Sequence, residues 1–122
     1  LRRSRSNTPL QALTLMNDPT YVEAARLLGQ RMLKDGGSTP ETRIAHGFRL
    51  LLARTPRSEE LAVLVRAHGR FAADFRADAA TAKALLAVGA TKPDPALDPV
   101  DLAAYTAVAS TLLNLDETVT KP

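Results

Sequence analysis

Four times in this chain a Thr or Asp is followed at once by Pro at the start of an apolar helical repeat: Thr8-Pro9, Asp18-Pro19, Thr39-Pro40 and Asp98-Pro99. The pairing has a definite physical meaning. The Thr or Asp side-chain oxygen accepts an orphan N–H of the first helical turn. Pro at the first helical position lacks an N–H that would find no partner anyway, and its φ is already helical. Each pair therefore starts a helix, and the spacing of apolar residues behind it says which face is buried.

The first predicted helix runs from Pro9 to about Met16, with Leu10, Leu13 and Met16 on one face. The second runs from Pro19 to about Lys34 with a stripe of Tyr21, Ala25, Leu28 and Met32, and Gly36-Gly37 ends it. The third starts at Pro40, carries Ile44, Phe48, Leu51 and Leu52, and closes at Arg54-Thr55-Pro56. Ser58 opens another, with Glu59 and Glu60 near the positive end of its dipole and a face of Leu61, Leu64, Val65, His68, Phe71, Ala72 and Phe75. An Ala-rich helix follows from about Ala79 to Val88, before Gly89. Residues 90–98 read as a connector, because Pro93 and Pro95 preclude regular helix. From Pro99 the buried face is Leu102, Tyr105, Val108, Ala109 and Leu112, and the sequence turns polar at Asn114.

No alternating strand pattern and no Asn-Gly or Asp-Gly hairpin turn stands out. The expected fold is all-α, a compact bundle of five to six helices joined by short Pro- and Gly-marked turns. The expected organisation is a basic arm at 1–7 left from a preceding chain, one helical domain at 8–114, and a C-terminal tail at 115–122.

Composition narrows the function classes. The hydrophobic fraction is 45%, with only 4% aromatic residues, and suits closely packed helices of Ala and Leu. There is no Cys, which excludes disulfides, thiol nucleophiles and covalent haem attachment within this sequence. The net charge of +3 is that of Arg2, Arg3 and Arg5; without them, acidic and basic residues balance. A short arm without interleaved aromatics does not make a nucleic-acid face. No run is long and apolar enough for a membrane span or a signal peptide. A start at Leu1 is expected of a fragment whose targeting information lies upstream.

Candidate chemistry is sparse. His46 falls off its apolar stripe and is expected to be partly exposed. His68 lies on one, either as a metal ligand or general base, or as a core residue bonded to a carbonyl or carboxylate. Neither has a helical His or Glu partner at metal-binding spacing. Glu59 and Glu60 suit a helix start, and Asp116-Glu117 has no assigned role. There is no Gly-rich phosphate loop or nucleophile elbow. Arg5, Asn7, Gln11, Asn17 and Asp18 form the candidate interaction segment. Its amides either staple a tight helix–helix corner or line a ligand groove.

The run Arg5-Ser-Asn-Thr-Pro-Leu-Gln-Ala-Leu-Thr-Leu-Met-Asn-Asp-Pro19, followed by Tyr21-Val-Glu-Ala-Ala25, resembles the hallmark of the planctomycete-type domain of unknown function 1553. The resemblance continues through Phe48-Arg-Leu-Leu-Leu-Ala-Arg-Thr-Pro56, Glu59-Glu60-Leu61, Asp98-Pro99, Leu102-Ala-Ala-Tyr105 and Leu112-Leu-Asn-Leu-Asp-Glu117. It departs at Thr118, where an aromatic residue is more usual. The resemblance implies the C-terminal part of an exported multidomain protein, extracytoplasmic, with haem c in upstream domains and no cofactor in this fragment. It carries over no catalytic residue.

The expected function is a non-catalytic interaction or scaffold module whose partners are other domains of the same protein. Neither nucleic acid nor membrane insertion is expected. The alternative is an accessory carbohydrate-binding or polysaccharide-processing module, with Tyr21 or Tyr105 as a sugar platform. A third reading is self-association through Ala-rich faces of the last two helices.

Overall fold

The structure, a computed structural model, describes residues 18–120, with side chains described through Leu115. The helix predicted from Pro9 to Met16 lies outside the described residues, as do Arg5, Asn7, Gln11 and Asn17. Five helices make up the described fold: α1 (Pro19–Asp35), α2 (Pro40–Leu52), α3 (Ser58–Ala77), α4 (Ala79–Leu86) and α5 (Pro99–Thr120). No strand occurs among the described residues, and the all-α bundle follows the expectation.

The caps act where the sequence puts them. Asp18 Oδ1 accepts the Thr20 and Tyr21 amides at 3.0 and 3.3 Å. Thr39 and Thr42 exchange side-chain and backbone bonds across the first turn of α2. Asp98 Oδ2 accepts the Asp101 amide at 3.0 Å. Between α3 and α4 a single residue serves both helices. The Asp78 N–H closes α3 on Asp74 O at 3.0 Å, and its carboxylate accepts Thr81 N and Oγ1 at 3.2 and 2.6 Å to open α4.

The bundle is built around α5, which packs on all four other helices and most extensively on α1. The sequence predicts one buried face here; the structure buries every residue from Leu102 to Ser110. A helix enclosed on all sides is the architecture of an interior element. The hydroxyls are accommodated by back-bonding: Thr106 Oγ1 donates to Leu102 O at 2.7 Å. Helix α5 also runs on through Thr120, so the polar segment from Asn114 is helical rather than an irregular end.

Two further boundaries shift. The buried stripe of α1 is Val22, Ala25, Arg26, Gly29 and Met32, rotated from the predicted one, with Tyr21 and Leu28 only half-buried. Helix α4 stops at Leu86, short of Val88.

Candidate functional site

A shallow groove of about 500 Å³ lies between the start of α2 and the first turns of α3, lined by Glu41, Ser58, Leu61, Ala62, Val65 and Arg66. Among the described residues, the apolar stripe of α3 extends beyond what the rest of the bundle covers: Leu61 and Val65 stay half-buried, and Ala62 is exposed. Glu41 belongs to the first turn of α2, while Arg66 extends from α3. The groove thus has an apolar floor with one acid and one base at its walls. Its volume lies within the usual range of ligand-receiving clefts.

Next along α3 is His68. Its ring centroid lies 4.3 Å from that of Tyr105 on α5, tilted by 36°. The Arg43 guanidinium is 5.7 Å from the Tyr105 centroid, within cation–π reach. Burial holds the His68 imidazole below its ordinary pKa; the carboxylates of Asp101 and Glu41 pull it up, and Arg43 pushes it down. Burial likewise raises the Tyr105 phenol, partly offset by Arg43. Among the described residues His68 Nε2 has no hydrogen-bond partner, so the expected bond of one ring nitrogen to a carbonyl or carboxylate is left to Nδ1. His46 is half-buried, near its predicted setting, and its Nε2 is also buried without a partner among the described residues.

The third cluster was not foreseen. One face of α1 grips the connector ahead of α5. Arg26, only 1% exposed, donates from Nη2 to Thr91 O and Oγ1 at 2.7 Å each. Its Nη1 donates to Lys92 O at 3.2 Å and to Gln30 Oε1 at 3.1 Å. Glu23 accepts the Ala90 and Thr91 amides and the Thr91 hydroxyl, and these bonds hold its carboxyl below the usual range. Lys34 and Asp94 pair at 2.6 Å, which raises the lysine and lowers the aspartate. Gln30 Oε1 accepts the Asp94 amide at 3.2 Å. Glu23, Arg26, Gln30 and Lys34 recur at helical spacing, which is the signal that sequence reading could have used. Their partners on the connector lie sixty or more residues away in sequence, and no local rule reaches them.

Of the predicted interaction segment, the described part is Asp18, and its carboxylate is engaged as a helix cap. Glu60 exceeds its predicted role as a first-turn charge. It binds Arg54 through two 2.9 Å bonds and accepts the Arg57 amide at 2.8 Å, which draws its pKa down to about 2. Tyr105 is 2% exposed and offers no platform to a sugar. The Tyr21 hydroxyl lies 3.0 Å from both Ser110 O and Asn114 Oδ1. The Ala face of α5 is spent in the core and is not available to a second copy. Among the described residues, no group of three His, Asp or Glu is placed to hold a metal ion. No helix among them is long and apolar enough to cross a membrane.

No curated protein and no solved structure matches the chain. A family model described as PSD1, a protein of unknown function (DUF1553), matches residues 1–68, which take in α1, α2 and the groove-lining turns of α3. The motifs from Asp98 onward lie beyond that match. Since more than half of the chain is covered, the protein belongs to the PSD1 family of unknown function, DUF1553.

Proposed function

We propose that this domain is a non-catalytic helical interaction module of a larger exported multidomain protein, and that the α2–α3 groove receives an apolar helical segment from another part of that protein. In this reading the setting is extracytoplasmic, and any haem c belongs to the upstream domains. The observation that carries it is the groove itself: a floor of Leu61, Ala62 and Val65 left open between Glu41 and Arg66. An amphipathic helix supplies apolar side chains to such a floor, and a basic and an acidic residue on its flanks match the two walls. The carboxylates with the strongest local bonds — Glu23, Glu60, Asp78 and Asp94 — serve caps and clamps within the fold.

The absence of Cys from the chain makes the test direct. Ala62→Cys places a thiol on the groove floor. Maleimide labelling, read at the level of the Ala62 peptide, is expected to be at least about tenfold slower in the full-length protein than in the 122-residue chain. Equal labelling rates would sink the docking role.

A further inference from the structure

His68 sits where α3 meets both α2 and α5. Its ring packs against the Tyr105 ring of α5, and Tyr105 is itself enclosed in the core. The charged groups that face it are Glu41 and Arg43 from α2 and Asp101 from α5. None of them bonds Nε2, which is shielded from solvent and has no partner among the described residues. A neutral imidazole accommodates this arrangement, with Nε2 as its bare nitrogen. An imidazolium does not, because both of its nitrogens are donors and one would be buried without an acceptor.

We propose that the His68–Tyr105 contact is an acid-released latch: the neutral imidazole holds the middle of α3 on α5, and protonation of His68 frees it. The proton comes from solvent and stays on Nε2 once the helix has moved enough for water to reach that nitrogen. Arg43, already beside Tyr105, opposes a second positive charge there. Asp101 and Glu41 favour the charge, but burial outweighs them and keeps the folded-state pKa below 6.5. The unfolded or detached imidazole takes up a proton first. The stability held by the latch is therefore complete above pH 6.5 and is lost as pH falls from there toward the folded-state pKa. Val65, one turn earlier on α3, lines the groove floor, so the release reaches that floor; the latch does not depend on what docks there.

The experiment is an NMR titration of both imidazoles in the 122-residue chain between about pH 8 and 5, with amide-exchange protection factors measured alongside. His68 is expected to titrate below 6.5. Opening of α3 around Leu64 to Phe75 is expected to rise by up to about tenfold per pH unit below that value, with α1 unaffected. His68→Phe keeps an aromatic ring on Tyr105, cannot titrate, and is expected to abolish the slope. His68→Gln gives the same reading should the larger ring not fit. Titration of His68 at or above 6.5 would overturn the latch, as would equal loss of protection in α1, or a slope that survives either substitution.

Discussion

Gly29 of α1 lies directly against the backbone of Thr106 in α5: a β-carbon on Gly29 would stand 3.0 Å from the Thr106 nitrogen and 3.1 Å from the Tyr105 carbonyl carbon. The obstructing atoms are main chain of an enclosed helix and cannot swing aside. This close approach lies within the most extensive helix pair in the bundle. Gly29→Ala should push α1 off α5 despite its better helix propensity. Urea unfolding is expected to show a loss of about 1–3 kcal/mol. A gain would mean that the two helices are not in such close contact.

Ala53 gives the opposite case. It ends α2 with φ at +61° and its N–H on Arg49 O, a left-handed position that an L side chain occupies at a cost. Ala53 is exposed, so removing its methyl opens no cavity. Ala53→Gly is expected to stabilise the chain by about 0.5–1 kcal/mol, read as a higher melting temperature.

Arg26 is the centre of the grip on the connector. Arg26→Ala leaves the Thr91 and Lys92 carbonyls and the Glu23 carboxylate without their cation. The expected loss is about 3 kcal/mol in urea unfolding. Limited proteolysis should then cut at residues 90–98 well before the helices. Arg26→Lys should restore only part of the stability, because one ammonium cannot reproduce the two-armed geometry. Wild-type resistance in Arg26→Ala would show that the connector is held by something else.

The carboxylates set a second, more acidic transition. Their pKa values are depressed in the fold, so the stability they contribute is present above the unfolded value and is lost as pH falls through the folded one. For Glu60 that window runs from 4.5 down to about 2. The urea midpoint should fall across this range, and Glu60→Gln should flatten part of the decline. It should leave the step that begins at pH 6.5 unchanged. Exposure and salt screening keep the effect of this pair modest, so its shape with pH is the diagnostic.

Helix starts were the most legible part of the chain, because a cap is a short-range bargain between neighbours. Asp18, Thr39 and Asp98 act as their positions imply, and Gly36 ends α1 as expected. Burial was less legible. Arg26 reads as a gap in an apolar stripe, yet it is almost wholly enclosed because its guanidinium finds partners on a distant connector. The enclosure of α5 had a signal: Leu102 to Leu112 carries no charge, and small residues fill the intervals between the larger ones. His68 was legible as a residue on a buried face. Its bare nitrogen was not, because that depends on what Tyr105, Arg43 and Asp101 leave unoccupied around it. The groove floor was visible as part of the α3 stripe, whereas Glu41 enters it only through the packing of α2.

Because α5 is the axle of the bundle and the last of the five described helices, the order of synthesis runs against the order of need. The four helices that pack on it leave the ribosome before it does and must wait with their oily flanks unmatched. Slowing translation just ahead of Pro99 should lengthen that interval and raise the demand for chaperone holding.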